Sequence, residues 1–294
     1  MIPEKPRSEN EGERRRRFWI EYMERSHRLM SSMRGYPVKE CGEGLESIPD
    51  ATKAEGIEVL FSETKIRGDL DRIFMVRSSL IPNLLAIARD MLKRGWILKI
   101  EDGFRTREMQ TQLGRDPAIF DSIVYSCWWE NHYQKPPLDL VMRRAKCLVA
   151  NYPNTGTHTM GAAVDISVYK QADLSEVWRG KPYLEMSEYT PMDSPFVDPE
   201  EQLNRKEITW IMESHGFMHY PGEFWHYNKG DALYHILNNT GKPASYGPVD
   251  RVPNTNLVTP YEDPTSPLTL PGVQAELLEA ALNRLELNQQ DRIA

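Results

Sequence analysis

The order of helical and extended segments constrains the fold most, because they follow one another without a regular strand–helix alternation. Apolar residues recur at helical spacing in several separate stretches, and the strand-like runs between them are short. Doubly wound folds and barrels need strands and helices in steady alternation. The pattern therefore predicts an α+β fold, a single domain with a small antiparallel sheet flanked by helices, with extensions at both ends.

Turn-forming residues and caps set the expected ends of these elements. Ser79 can cap a helix that has Pro82 in its first turn and Gly95 just beyond its end. Strands are recognised by runs of β-branched and aromatic residues between turn signals. Helices are predicted over 13–33, 79–95, 107–150, 199–215 and 273–285, and strands over 57–61, 96–101, 162–168 and on both sides of Pro221-Gly222, the second containing Glu223 to Tyr227.

Composition divides the chain into three predicted parts. Residues 1–50 form an extension with an amphipathic helix, 51–240 form the main domain, and 241–294 combine a Pro-rich extended segment with a C-terminal helix packed on the domain. Within the main domain, the stretch 170–198 is broken by Gly and Pro and is expected to be a long functional loop. The core of the helical stretch before it is expected to contain Trp128, Trp129 and Tyr133.

Charge and cysteine content exclude several classes of protein. The 294 residues carry a formal net charge of −7, which argues against nucleic acid as a partner. The three cysteines are widely spaced, so neither a disulfide framework nor a thiolate zinc cluster is expected. No run is apolar enough for a membrane span, and the first residues lack the apolar core of a secretory signal. These observations predict a cytoplasmic chain, and they leave its oligomeric state open.

The candidate chemistry lies in two short segments, His158-Thr-Met-Gly-Ala-Ala-Val-Asp165 and Glu223-Phe-Trp-His226. A catalytic zinc takes three nitrogen or oxygen ligands from the protein and leaves one position open for water. His158, Asp165 and His226 supply two imidazoles and one carboxylate, and Gly161 allows the tight turn that brings the first two together. Each segment alone is weak, since a lone histidine is more often structural and the first spacing also suits a loop-to-strand corner. Together they predict one Zn²⁺ per chain.

Glu223 stands three residues before His226 and is the candidate general base. A carboxylate beside a metal-bound water can accept its proton. Residues three apart in a regular strand face opposite sides, so Glu223 and His226 need a turn or bulge between them to share a site. Pro221-Gly222 makes such a turn plausible.

The two segments, taken with Asp102-Gly103-Phe104-Arg105, resemble the signature of the peptidase M15 family, which includes the zinc D-alanyl-D-alanine dipeptidases and related D,D-carboxypeptidases. The resemblance extends over about 76–237. It implies the family's α+β fold, zinc ligands at His158, Asp165 and His226, catalysis by Glu223, and stabilisation of charge on the carbonyl oxygen by Arg105. An arginine suits that last role because its guanidinium is permanently charged.

Within that family the chain resembles the dipeptidases most closely. Long stretches separate its motifs, and Asp193 and Ser194 lie in a loop similar to one that closes a dipeptidase pocket. The expected substrate is a small peptide of the D-Ala-D-Ala type. Two alternatives stay open: a D,D- or L,D-carboxypeptidase acting on peptidoglycan stem peptides, and a zinc-stabilised binding module without turnover. The presence of Glu223 argues against the last, because a structural site has no use for a base.

Overall fold

The computed structural model describes residues 10–290, and within this range the chain forms short strands and separate helices. The predicted α+β fold is confirmed. The helices are α1 Glu11–Arg34, α2 Ile48–Ala54, α3 Ile81–Lys93, α4 Arg107–Leu113, α5 Pro117–Glu130, α6 Leu138–Leu148, α7 Pro199–Ser214, α8 Ala232–Leu237 and α9 Pro271–Gln290. The strands are β1 Leu45–Ser47, β2 Leu60–Phe61, β3 Met75–Arg77, β4 Trp96–Asp102, β5 Ala163–Lys170, β6 Met218–His219, β7 His226–Asn228, β8 Val249–Arg251 and β9 Val258–Pro260.

The central sheet has five strands in the order β2-β4-β5-β7-β6. The pairs β4–β5, β5–β7 and β6–β7 are antiparallel, as predicted, but β2 pairs with β4 in parallel. The reason is topological: α3 lies between these two strands, and a helical crossover returns the chain in its original direction. The described residues also form two small two-stranded sheets, β1–β3 and β8–β9.

Strand β5 runs through the core and determines where the polar site lies. Val164, Ile166 and Val168 join the main hydrophobic cluster with residues of α3 and α7. Side chains alternate across a strand, so Asp165 and Ser167 point to the opposite face. Both are nevertheless buried. The buried carboxylate of Asp165 therefore lies on the face of β5 that points away from the main hydrophobic cluster.

The predicted helices form with differences at their ends, except that the stretch predicted over 107–150 is divided into α4, α5 and α6. Asn10 caps α1 by accepting a hydrogen bond from the Glu13 amide, and α1 ends at Gly35 as predicted. The prediction for Ser79 is wrong, because a 3-10 turn over 78–80 precedes α3 and the Ser79 hydroxyl instead contacts the Tyr246 hydroxyl. Tyr133 is also misplaced in the prediction: it follows the end of α5 with φ of 60° and is 57% exposed.

The two ends of the described chain pack against the same helices. Helix α9 covers α5 and α6 with its apolar stripe, whereas α1 contacts Cys147 of α6 through Trp19 and Met23. The segment predicted as merely extended after residue 241 contains the β8–β9 hairpin, whose Val249 packs against Leu45 and Phe104. The boundaries at 50 and 240 stay a prediction, and residues 1–9 lie outside the described range.

The chain carries no disulfide among its cysteines, since all three are free; Cys127 and Cys147 are buried and Cys41 is exposed. Burial raises the pKa of the Cys127 thiol and of the Cys147 thiol, so both stay protonated near neutral pH. Among residues 10–290, none of the helices combines the length and apolar character that a bilayer crossing requires.

Candidate metal centre and active site

The three candidate metal ligands come from two neighbouring strands and the turn before one of them. His158 lies in a short 3-10 turn ahead of β5, Asp165 lies within β5, and His226 opens β7. The sheet register pairs Asp165 directly with His226. Gly161 joins the turn to the strand with φ of 65°, and a β-carbon there would come within 2.5 Å of a buried leucine side chain. A glycine is therefore required for His158 to approach the strand.

The structure brings these three side chains together in one buried cluster. One potential ligand atom from each lies within 4.8 Å of the others. Asp165 Oδ1 is 2.9 Å from His226 Nδ1 and 3.3 Å from His158 Nε2. The two imidazole rings meet edge to face, with centroids 4.9 Å apart. A set of two imidazoles and one carboxylate converging on a point is the arrangement that the sequence predicted.

Hydrogen bonds on the far side of each imidazole orient its other nitrogen toward Asp165. His158 Nδ1 lies 2.7 Å from the Gly103 carbonyl, which can only accept, so Nδ1 carries the proton and Nε2 faces the carboxylate. His226 Nε2 lies 2.9 Å from the Thr157 hydroxyl, which leaves Nδ1 directed at Asp165. Such outer contacts fix the tautomer of metal-binding histidines. The donor set and its orientation fit zinc, which takes nitrogen and oxygen ligands at four-coordinate sites.

The second carboxylate oxygen of Asp165 is also held. Tyr183 donates a hydrogen bond of 2.9 Å to Oδ2, and Arg105 Nη2 lies 3.6 Å from the same atom. Burial alone would raise the pKa of Asp165, but the adjacent rings of His158 and His226 hold it well below its usual value. Asp165 is therefore an anion in the folded protein, with Oδ1 left for a cation.

Arg105 lies between two carboxylates at the end of β4. Its Nε donates a 2.7 Å hydrogen bond to Asp102 Oδ2, and its backbone amide donates to the His158 carbonyl. Burial works against the charged guanidinium, yet Asp102 and Asp165 outweigh it and raise the pKa of Arg105 further. The side chain is 16% exposed and borders the cavity described below. The permanently charged guanidinium of Arg105 thus lies beside the three candidate metal ligands.

Glu223 reaches the cluster through a turn and not through a strand. The predicted strand over 223–227 is wrong in its first half, because β7 begins only at His226. The His226 amide donates back to the Glu223 carbonyl at 3.2 Å, which closes the turn. Glu223 Oε2 consequently lies 4.0 Å from His226 Nδ1. Burial raises the pKa of Glu223 to about 7, although the nearby His226 opposes this shift.

All five predicted site residues line one cavity of about 1100 Å³. Its floor is formed by Asp165 of β5, His226 of β7 and His158 in the turn before β5. Helix α1 supplies one wall, through residues such as Arg15, and the segment over 171–198 supplies another. That segment has no helix or strand apart from an isolated bridge between Tyr169 and Glu176. It is held in place by Arg205 of α7, whose guanidinium donates to three of its backbone carbonyls.

The loop residues predicted to close the pocket are not the ones that reach it. Ser194 is buried and donates to the Glu188 carbonyl, and Asp193 is exposed. Neither lines the cavity, whereas Tyr183 and the stretch 184–188 do. The prediction was right in assigning the loop to the site and wrong in the residues.

The remaining histidines near the second motif make ordinary structural contacts. His215 bonds Asp90 at 2.8 Å, and His219 bonds the Glu213 carboxylate at 2.6 Å. His235 lies 2.6 Å from the Thr240 hydroxyl. None of the three lines the cavity.

Tyr183 and Asp102 are the site residues to which the sequence assigned no role. Asp102 belongs to the segment that contains Arg105, and a carboxylate three residues before an arginine is a usable signal for an ion pair. Tyr183 lies in an irregular segment where neither periodicity nor spacing predicts a partner. Its contact with Asp165 becomes visible only in three dimensions.

Comparison with known proteins agrees with this geometry. Residues 122–240 match the peptidase M15 family model, described as D-ala-D-ala dipeptidase. These residues, less than half of the chain, are similar to the peptidase M15 family. They include His158, Asp165, Glu223 and His226 but begin after Arg105, so the family match starts later than the resemblance noted from residue 76.

The relatives are similar over part of their length. Over 110 residues the chain is 34% identical to a D-alanyl-D-alanine dipeptidase of Synechocystis sp., covering 32% of this chain and 44% of the relative. Over 145 residues it is 26% identical to one of Enterococcus faecium, covering 48% and 66%. The chain thus spans about half to two thirds of these relatives. A solved structure of the vancomycin resistance D,D-pentapeptidase VanY in complex with Zn(II) covers 63% of this chain and 94% of its own, at 16% identity and a TM-score of 0.33.

Proposed function

We propose that this chain is a zinc-dependent peptidase that hydrolyses a small peptide, with a D-Ala-D-Ala-type dipeptide as the substrate. The observation that carries the proposal is the buried cluster of His158, Asp165 and His226 with Glu223 Oε2 at 4.0 Å from His226 Nδ1, all on one cavity. A purely structural metal site would be closed and would not need a carboxylate of raised pKa beside it.

Each residue has one role in the proposed reaction. Zinc, held by His158, Asp165 and His226, would supply a Lewis acid and a bound water whose pKa is about 7. Glu223 accepts the proton of the attacking water and passes it to the leaving amine nitrogen, which suits a pKa of about 7. Arg105 donates to the carbonyl oxygen as negative charge develops on it.

The outer contacts support these roles. Asp102 fixes Arg105 through its 2.7 Å hydrogen bond, so the guanidinium is oriented before the substrate arrives. Tyr183 is hydrogen-bonded to Asp165, and Thr157 is hydrogen-bonded to His226. These bonds hold the two ligands in place. Groups that are already in place gain more in the transition state because no reorganisation is needed at that moment.

The substrate class rests on the relatives, which are D-alanyl-D-alanine dipeptidases by name. One observation favours a second candidate, a D,D- or L,D-carboxypeptidase that acts on longer peptidoglycan stem peptides. The cavity of about 1100 Å³ is slightly larger than ordinary small-ligand sites, which run from about 300 to 1,000 Å³. A free dipeptide would leave much of that space unfilled.

Hydrolysis of a peptide panel tests the proposal and separates the two candidates. The protein is loaded with zinc and incubated with D,D-, L,D- and L,L-dipeptides, free and N-acetylated, and with a blocked pentapeptide stem. The expected result is release of D-Ala from free D-Ala-D-Ala, with the N-acetylated form resistant because a dipeptidase must bind the free ammonium in a closed pocket.

Efficient release of the terminal residue from the blocked pentapeptide would instead assign the carboxypeptidase activity. Binding of these peptides without cleavage of any of them would overturn the enzymatic proposal and favour the binding module. Chromatographic detection of free amino acids distinguishes all three outcomes.

A further inference from the structure

Helix α1 contacts the turn that carries Glu223, although α1 lies outside the segment that matches the peptidase family. The contact is made by Tyr22, which is 6% exposed and whose ring lies close to that of Trp19. Opposite it lies Gly222, the residue immediately before Glu223. Helix α1 therefore contacts the residue next to the proposed general base.

Tyr22 and Gly222 approach so closely that a side chain at position 222 would have to displace Tyr22 and Tyr220. An ideal β-carbon on Gly222 would lie 2.3 Å from the Tyr22 hydroxyl oxygen and 2.4 Å from Cε1 of Tyr220. Both distances are shorter than van der Waals contact. The backbone conformation does not itself require glycine here, since Gly222 is not among the residues with positive φ. Glycine at 222 is explained by the approach of two tyrosines.

The Tyr22 hydroxyl belongs to a small buried polar group beneath Glu223. Its polar neighbours are Ser26, one helical turn along α1, and Tyr220, which begins the turn. Burial raises the pKa of Tyr22, so its hydroxyl keeps its proton and can donate. Tyr22, Ser26, Tyr220 and Glu223 also line a common cavity of only about 10 Å³. That volume leaves the turn little room to move.

We propose that Tyr22 is a positioning residue for Glu223: seated against Gly222 and Tyr220, its hydroxyl fixes the turn that aims the carboxylate at the reacting water. Tyr22 acts through the backbone and touches no reacting atom. The inference rests on the proposed peptidase function. It makes α1 a working part of the active site and not a peripheral extension.

Tyr22→Phe tests this role, because it removes the hydroxyl and keeps the ring. Tyr246→Phe is a matched control: Tyr246 is also 6% exposed and its hydroxyl is bonded to Ser79 and Glu43, but it does not line either cavity. Wild type and both variants are loaded with zinc and compared for kcat, KM, zinc content and melting temperature on the best peptide of the panel.

The expected result for Tyr22→Phe is a fall in kcat of about tenfold or more with KM nearly unchanged, since misplacing a catalytic group by a fraction of an ångström affects the chemical step. Zinc content should stay at the wild-type value, and Tyr246→Phe should keep wild-type kcat. Faster amide hydrogen exchange over 220–226 in Tyr22→Phe, and not in Tyr246→Phe, would show the loosened turn without relying on activity.

Three outcomes would overturn the inference: an unchanged kcat in Tyr22→Phe, an equal loss of kcat in the control, or a loss that follows zinc content or unfolding. A wild-type protein that cleaves no peptide would instead reject the proposed function. The exchange measurement would then still decide whether Tyr22 holds the turn.

Discussion

The floor and the walls of the cavity are held by different kinds of interaction. On the floor, backbone pairing of β5 with β7 sets Asp165 opposite His226, and buried hydrogen bonds orient each ring. The walls are joined by side chains: Arg15 of α1 forms an ion pair with Glu188, and Phe18 stacks edge to face on Phe196. Backbone pairing fixes positions closely, whereas partly exposed side-chain pairs are weaker and easier to rearrange.

This difference separates two properties of the site. The floor carries the groups that determine whether a reaction occurs, and the walls determine which peptide fits and how tightly. Substitutions on the floor should therefore change kcat or zinc content by large factors. Substitutions of wall side chains that contact neither the floor nor the turn carrying Glu223 should change KM by small factors.

The largest effect is expected from Glu223→Gln, which removes the proton acceptor and keeps the shape. We expect kcat to fall by about a thousandfold or more while zinc content is unchanged, because Glu223 is not a ligand. Near-normal kcat in this variant would reject the role of the base, and lost zinc would make Glu223 a ligand. Kinetic assays give kcat, and elemental analysis of the same samples gives the zinc content.

The same variant should change the pH dependence of stability in the zinc-free protein. Burial raises the pKa of Glu223 to about 7 in the folded state, so the folded chain holds a proton that the unfolded chain releases near its ordinary pKa of 4.5. This contribution to stability is present below pH 4.5 and is lost as the pH rises through 7. Glu223→Gln should remove this loss, which thermal melts at pH 5 and pH 8 would show as a smaller difference than in wild type.

A smaller effect is expected from Tyr183→Phe, because Tyr183 connects the loop wall to Asp165 on the floor. The variant removes the 2.9 Å hydrogen bond to Asp165 Oδ2 and keeps the ring against Trp225. Loss of a hydrogen bond behind a metal ligand costs about 10- to 100-fold in metal affinity or activity. Competition with a chelator of known affinity measures the change. Unaltered zinc affinity together with unaltered kcat would show that Tyr183 has no role in the site.

The smallest effect is expected from Arg15→Met, which cuts the ion pair between the walls. Its side chain is 34% exposed but that of Glu188 is 6% exposed, so the variant leaves a buried carboxylate unpaired at a cost of about 1 to 3 kcal/mol. We expect KM to rise by a few-fold with kcat nearly unchanged and the melting temperature lowered by a few degrees. A loss of kcat as large as that of a floor variant would mean that the two regions are not separable.

Much of the floor could be predicted from the sequence because its geometry is local. His158, Gly161 and Asp165 lie within one turn and one strand, and the need for a turn between Glu223 and His226 followed from the period of a strand. The helices α1, α3, α7 and α9 were predictable for the same reason, since each has its own apolar stripe. The roles of the clustered residues remain predictions that the variants above address.

The walls could not be predicted because their contacts join distant parts of the chain. Tyr183 reaches Asp165 from an irregular segment, and the Ser194 hydroxyl donates to the Glu188 carbonyl within its own loop. Tyr22 and Gly222 are 200 positions apart, and nothing in either segment indicates the other. The short helix α8 was missed because six residues are too few to show a helical period.

Zinc stoichiometry tests the central claim most directly. Protein purified and dialysed against trace zinc is analysed for metal in wild type, His158→Ala, His226→Ala and, as a control, His235→Ala, whose ring is bonded to Thr240 outside the cavity. The account predicts one zinc per chain in wild type and in the control, and almost none in the other two. Equal zinc in all four proteins would contradict the assignment of the metal centre.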